Sequence, residues 1–326
     1  MSRSIVVTGG AGFIGSHIVE ALVARGDRVR VLDNLATGKS EYLEAVHDRI
    51  EFIQGDILDH ALLGKVLSDA EIVYHQAALA SVPLSVERPL DVNAACVTGT
   101  LNVLDQARRT GVRRVIYAAS SSLYGDPPFA SNRENDLPAP LSPYAVAKLG
   151  GEHYCHAFYR TYGLETVCLR YFNVFGPRQD PASPYSAVIP LFITALLAGQ
   201  PPTIFGDGEQ SRDFAYVGNI VDANLLAAEA PAADVAGRSF NIANGRSTSL
   251  LEMLRQLQGL LGTQLEPQHA PPRAGEVRHS QADISEARRY LRYEPRVDFA
   301  TGLRLSIQYY RTQLSARSHS TKARDS

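Results

Sequence analysis

The chain has 326 residues, 45% of them hydrophobic and 20% charged, which is enough to bury a sizeable core in one large domain or two unequal lobes and excludes a disordered or fibrous protein. A formal net charge of -2 supplies no general basic field for a polyanion such as DNA, so any phosphate must be held locally, and neither nucleic acid nor a membrane is an expected partner. Cys96, Cys155 and Cys168 form no C-x-x-C pair and cannot all pair internally; no stretch reaches bilayer-spanning length, and Met1 to Thr8 leads straight into a strand pattern. A reduced compartment, the cytoplasm, is expected, with no export signal and no metal site.

Along the first half, short β-branched runs alternate with longer amphipathic stretches. SIVVTG, VRVLD, IEFIQGD, EIVYHQAA, VRRVIYAASS and LETVCLRY predict six buried strands. The alternation predicts an α/β fold, a doubly wound parallel sheet of Rossmann type with helices on both faces. From Asn173 the regularity fails, in PRQDPASPY and GQPPTIFGDGEQSRDF. A helix follows at Val217 to Glu229 and a strand near RSFNIAN. The expected organisation is therefore a nucleotide-binding domain of residues 1–172 plus about 216–246, with a smaller interleaved lobe of about 173–215 plus 247–314. Leu250 to Leu261, Ile284 to Leu291 and TGLRLSIQYYRTQL read as helices, and the polar tail after Ser315 is expected to be disordered.

GGAGFIGSH follows the first strand and opens a helix, so Gly9, Gly12 and Gly15 can supply a tight turn, close backbone approach and close helix packing. A pyrophosphate would sit on the helix N-terminus, where free N–H groups and the dipole favour an anion. Glycine also serves ordinary turns, and only the strand before and the helix after give the triplet weight. Asp33 ends the second strand, where a carboxylate can accept from ribose hydroxyls and would repel a 2′-phosphate, favouring NAD over NADP; a turn or cap before Asn34 is the other reading. Asp56 is either a cap or a partner for the adenine amino group.

Ser142-Pro143 reads as an N-cap and a first-turn proline, placing Tyr144 and Lys148 one turn apart on one helix face. A phenol with its ordinary pKa near 10 is a poor base, but a neighbouring ammonium and an oxidised nicotinamide ring would favour the phenolate. Seen alone, such a pair is usually a packed tyrosine with a lysine snorkelling beside it. Lysine is scarce here: four lysines and 15 tyrosines would fall in this spacing about 0.2 times by chance. Ser120, Ser121 and Ser122 end the fifth strand, at the sheet edge where open α/β folds bind ligands; without the pair, three serines would more simply be turn chemistry.

GGAGFIG, Asp33, GDILD, HQAA, ASSSLYG, YAVAK and RYFNVFGPR together resemble the extended short-chain dehydrogenase/reductase family, specifically its nucleotide-sugar epimerases, over nearly the whole chain. The resemblance implies Tyr144 and Lys148 as the active-site pair and Ser120 as the serine that hydrogen-bonds the reacting hydroxyl, with Ser81, Ser121 and Ser122 lining the sugar pocket. Phe13, Ile14, Asp33, Asn34, Gly38, Asp56, Ile57, Gln76, Ala77, Ala78, Ala80 and Phe172 fall where the family contacts NAD. Asn173, Val188, Ile204, Phe205, Arg212, Arg273 and Glu276 fall where it holds the substrate's diphosphate, ribose and uracil. The family often has Asn where Cys96 stands in NAACVTGTLN, which removes a helix-to-cofactor hydrogen bond that Asn93 does not clearly replace. Relatives are commonly homodimers joined through two helices, for which Asp91 to Arg109 and Pro143 to Tyr162 are the candidates.

Related dehydratases carry an Asp-Glu pair just after the strand-five hydroxyl. Here that slot reads Ser121-Ser122, which argues against dehydration and for reversible oxidation at the sugar C4. The expected activity is a UDP-sugar 4-epimerase. Ser280, in GEVRHSQAD, falls where similar enzymes limit the C2 substituent, and its small size implies that N-acetylhexosamines are admitted along with UDP-glucose and UDP-galactose. The alternatives are a UDP-glucose 4-epimerase proper, a UDP-uronate epimerase or decarboxylase, and a non-catalytic NAD-binding regulator.

Overall fold

β-branched residues dominate the expected strands, and the alternation of their side chains places them on two faces. In Ser4–Thr8 (β1), Ile5 and Val7 pack into one apolar cluster while Val6 packs into another on the opposite face. A computed structural model describes residues 2–126, 131–181, 187–272 and 277–322, with side chains as far as Ser315.

β1 runs into helix α1 (Phe13–Ala24), followed by β2 (Arg28–Asp33), a 3-10 segment at Ser40–Arg49, β3 (Ile50–Gln54), α2 (His60–Val66) and β4 (Ile72–His75). Next come α3 (Val82–Glu87), α4 (Pro89–Asn93), one wide π turn at Ala94–Thr98, α5 (Gly99–Thr110), β5 (Arg114–Ser120), α6 (Pro143–Tyr162) and β6 (Glu165–Tyr171). These six strands pair in parallel as expected, and a seventh joins them from the second half of the chain. The later elements are β7 (Val174–Phe175), α7 (Val188–Leu197), β8 (Thr203–Phe205), β9 (Ser211–Asp213), β10 (Ala215–Tyr216), α8 (Val217–Glu229), α9 (Ala232–Val235), β11 (Arg238–Ile242), β12 (Ser247–Ser249), α10 (Leu250–Leu261), β13 (Gln268–Ala270) and α11 (Phe299–Lys322).

The main sheet has the order β3-β2-β1-β4-β5-β6-β11, every pairing parallel, so the chain reverses its direction of winding between β1 and β4. In an open α/β sheet that reversal opens a crevice at the strands' C-terminal ends. The stretch of 173–216, irregular by sequence, holds short strands in the ladders β7–β10, β8–β13 and β9–β12. A separate apolar cluster built on Phe175, Ile193, Phe214, Leu254, Leu303 and Tyr310 supports them. Helix α11 continues past Ser315, where the sequence reading ended it; SARSHSTK contains neither glycine nor proline to stop it. Among the described residues no helix is long and apolar enough to cross a membrane.

An ion pair between α6 and β6 lies inside this frame. Arg170 of β6 and Glu152 of α6 are 5% and 1% exposed and bonded through two guanidinium nitrogens, the shorter contact 2.6 Å. Removing one partner of such a pair leaves an uncompensated buried charge. Glu152→Ala should therefore cost about 3–5 kcal/mol of folding stability, read by urea denaturation at fixed protein concentration; a loss within the scatter of surface substitutions would show that Arg170 does not depend on it.

Candidate active site

The crevice between β1 and β4 is shaped by glycines that a side chain could not replace. Gly9 has φ of +69°, and a Cβ there would come 2.6 Å from the Ala77 nitrogen after β4. A Cβ on Gly15 would overlap the Gly9 carbonyl oxygen, so α1 can start this close to the turn only because Gly15 has none. At Gly12 the sole neighbour of an added Cβ is the Gly9 oxygen, at 3.2 Å, and the outer side of the loop is open. Gly12 is also the N-cap of α1, and no side chain caps that end, leaving first-turn N–H groups of Phe13 and Ile14 directed out of the helix start.

Asp33, at the end of β2, is buried. Its carboxylate accepts from Ala11 N at 2.9 Å and Leu35 N at 2.8 Å, which ties the glycine turn to the segment after β2. Burial raises its pKa and the two backbone donors oppose the rise. Gly38 lies against it; an added Cβ would be 2.9 Å from Asp33 Oδ1. Asn34 donates to Asp56 at 2.8 Å, and the other Asp56 oxygen accepts from Leu58 N, so Asp56 is a turn cap as well as a candidate ligand. Ile57 is buried.

At the ends of β4 and β5 the remaining groups gather. Gln76 joins Tyr171 and Asn224 in a hydrogen-bonded cluster. Ala78 packs in one cluster with Tyr144, Cys96 and Ala147, which brings the end of β4 against α6. Ser142 caps α6 as expected, accepting from Ala145 N at 3.2 Å, and Tyr144 and Lys148 follow on its first turns. Ser120 faces the Tyr144 phenol and is itself 2.9 Å from Ser122 Oγ. Burial, with the Cys96 thiol nearby, pushes the phenol's pKa up, and the Ser120 hydrogen bond pulls it down without prevailing. The Lys148 ammonium, expected beside the phenol, instead donates to Ala118 O at 2.8 Å and lies 5.0 Å from the Tyr117 ring centroid. Its pKa is lowered by burial.

Residues 5–243 match the NAD dependent epimerase/dehydratase family. The chain belongs to that family. It is 39% identical to the UDP-glucose 4-epimerase of Mycolicibacterium smegmatis over 94% of this chain and 98% of the relative. Among solved structures it is similar to the UDP-N-acetylglucosamine 4-epimerase of Methanobrevibacter ruminantium in complex with UDP-N-acetylmuramic acid, at 42% identity and TM-score 0.91, covering 96% and 99% of the two chains. It is also similar to the Thermus thermophilus UDP-glucose 4-epimerase complexed with NAD, at 37% identity and TM-score 0.86, covering 95% and 99%.

For a member of this epimerase/dehydratase family the resident cofactor is NAD, and the residues present fit it. The open side of Gly12, the uncapped start of α1 and the carboxylate of Asp33 form the cradle that a pyrophosphate and an adenosine ribose need. Several family positions behave differently from expectation. Phe172 and Ile204 are fully enclosed, Phe172 with its ring centroid 6.1 Å from that of Tyr124, so their side chains shape walls and present no surface of their own. Ser81 caps α3, accepting from Leu84 N at 3.1 Å, and Ala80 beside it is exposed.

Among the residues expected to hold the substrate, Asn173, Val188, Phe205 and Arg212 are half-buried. The Arg212 guanidinium donates to Ser211 O and to Arg278 O. Ser280 is held by its backbone on both sides, through its N–H to Ser211 O at 3.1 Å and its carbonyl to Ser247 Oγ at 3.1 Å. Arg273 and Glu276 lie outside the described residues.

Asp213 was missed by sequence reading. Fully buried, it accepts from the backbone N–H groups of Asn244, Gly245, Arg246 and Ala282, and burial pushes its carboxyl up to about 7 against those donors. An acid inside a strand, next to an arginine the motif already named, was the available signal.

Asp33→Ala should weaken NAD binding by at least about tenfold, the scale of one hydrogen bond to a charged group, and ease acceptance of NADP by removing the repulsive charge. Calorimetric titration with both dinucleotides measures this; an unchanged preference would assign the ribose to another residue.

Proposed function

We propose that this chain is a UDP-sugar 4-epimerase that interconverts UDP-N-acetylglucosamine and UDP-N-acetylgalactosamine and also acts on UDP-glucose and UDP-galactose. The observation that carries the reading is the meeting of Tyr144 with Ser120 at the C-terminal edge of β5, beside the glycine turn, with hydroxyls at 121 and 122 where an eliminating enzyme needs acids. Similarity to two named 4-epimerases supports it.

Ser120 and Tyr144 would share the C4 oxygen of the sugar, Ser122 steadying Ser120 from 2.9 Å. When bound, NAD supplies reversible hydride acceptance at C4. Tyr144 removes the C4 hydroxyl proton and returns it after the ketone has turned its other face, so C4 is inverted and the proton ends where it began. Lys148, one turn beyond Tyr144 on the same helix, is fixed by Ala118 O and so leaves the phenol free of a direct bond to it. A uronate substrate would need a cation or added hydroxyls for its carboxylate, and residues 80–85 and 119–125 carry no basic side chain. Three buried free cysteines fit a cytoplasmic enzyme, and Val146 and Tyr154, exposed eight residues apart on α6, fit a homodimer through that helix.

Following the C4 epimers of each UDP-sugar pair by NMR tests the activity directly; conversion of none of them would reject it. Tyr144→Phe should leave NAD and UDP-sugar binding nearly intact while cutting turnover by on the order of 10² or more, since only the proton acceptor is lost. Near-normal turnover would remove Tyr144 from the role.

For the sugar itself, the support is the small side chain of Ser280 on a backbone held by Ser211 and Ser247. Ser280→Tyr should set an overpacking cost of about 1–3 kcal/mol or more against N-acetyl substrates while UDP-glucose and UDP-galactose still react. The ratio of kcat/KM values between the two classes reads this out, and an unchanged ratio would mean that Ser280 is not the gate.

A further inference from the structure

His75 ends β4 directly before the Gln76–Ala78 run, is 1% exposed, and takes no part in the chemistry above. Both of its ring nitrogens are engaged: Nδ1 lies 2.7 Å from Thr8 Oγ1 and Nε2 lies 3.0 Å from Thr100 Oγ1. Thr100 Oγ1 is in turn 2.7 Å from the carbonyl oxygen of Cys96, inside the π turn, and Thr8 Oγ1 is 3.4 Å from Ala77 N.

The directions of these bonds determine one another. The Cys96 oxygen can only accept, so the Thr100 hydroxyl proton points there and Thr100 can only accept from the ring. Nε2 therefore carries the proton, Nδ1 accepts from the Thr8 hydroxyl, and the Thr8 oxygen is left to accept from Ala77 N–H. Burial drives the imidazole down to about 3, and the charge of Lys148 adds to this, so the ring is neutral at every working pH. Tyr117, the other titratable group against it, has its ring centroid 5.6 Å away and a pKa raised by burial.

The two ends of this chain are the two halves of the site. Ala77 is the group against which Gly9 packs. Cys96 packs with Ala147 and Tyr144, and α6 approaches the Cys96 carbonyl at Gly151, where an added Cβ would be 3.3 Å away. Wide helical turns of this type are frequent at functional sites. We propose that His75 is a positioning residue for the proton transfer, a strut of fixed hydrogen-bond direction that sets the spacing between the dinucleotide turn and the π turn beneath Tyr144 and Lys148. The inference rests on the 4-epimerase reading for its kinetic arm alone.

Thr100→Val deletes one hydroxyl, His75→Phe keeps the ring shape without its polar ends, and His75→Gln keeps one donor and one acceptor. Thr100→Val and His75→Phe should lower kcat about ten- to a hundredfold with KM within about twofold, and displace the acid limb of the kcat–pH profile. His75→Gln should recover most of kcat. In 15N-histidine-labelled wild-type enzyme, the imidazole of His75 should show protonated Nε2 and no titration between about pH 5.5 and 8. A folded Thr100→Val enzyme with wild-type kcat and pH profile overturns the proposal, and so does a ring that titrates or carries its proton on Nδ1. Should the wild-type enzyme convert no UDP-sugar, the reaction is wrong, and the strut is then decided by NAD release from Thr100→Val: faster by about tenfold sustains it, unchanged release overturns it.

Discussion

Helix α6 carries Tyr144 and Lys148, the proposed proton-transfer pair, near its start and, eight residues beyond Tyr144, the carboxylate that holds the helix in place. Burial alone would raise the pKa of Glu152, but the hydrogen bonds and charge of Arg170 prevail and hold it below the ordinary carboxylate range. The same guanidinium reaches Tyr124 Oη at 2.6 Å and Glu134 O at 3.0 Å. Tyr124 donates to Asn241 Oδ1, and Asn241 Nδ2 donates to the carbonyls of Asn132 and Asp283. One buried cation thus registers α6 against β6, against the Ser120–Tyr124 turn and against the segment that leads to Ser280. A cluster of this kind specifies position as much as it supplies stability, although Asn132 Oδ1 within it has no hydrogen-bond partner among the described residues.

Within that frame the active groups are kept in their uncharged tendencies. Burial moves Tyr144 up and Lys148 down, so the protein matrix by itself disfavours the ionised pair. Ser120 is the group that favours the phenolate. In the proposed mechanism the remaining stabilisation would come from positive charge beside the phenol, which an oxidised nicotinamide would carry. Proton abstraction would thereby be linked to an oxidised cofactor in place.

What the sequence could reveal was local. The β-branched runs, the glycine spacing, the Ser142 cap and the one-turn separation of Tyr144 and Lys148 are all properties of neighbouring residues, and each forms the element it announces. The features that escaped are set by partners far along the chain. Lys148 turns to Ala118, thirty residues away, and His75 meets Thr8 across 67 positions and Thr100 across 25. Phe172 and Ile204 were named from family position, and only packing shows that they are enclosed. Family position also says nothing of Ser81's duty as a helix cap.

The proposed role of Ser280 depends on how firmly its segment is held. Asp213 gathers the N–H groups of Asn244, Gly245 and Ala282 on one carboxylate, and β9 pairs with β12 beside it. Ser211 and Ser247 then hold the backbone of Ser280 from both sides. A segment tied at so many points resists moving when a larger side chain is introduced, and on the proposed reading the added volume at 280 would be set against the sugar. Steric selection is weak where a loop can yield and strong where the backbone is fixed. On that reading the buried carboxylate of Asp213, by supporting this segment, would contribute to the specificity of the pocket.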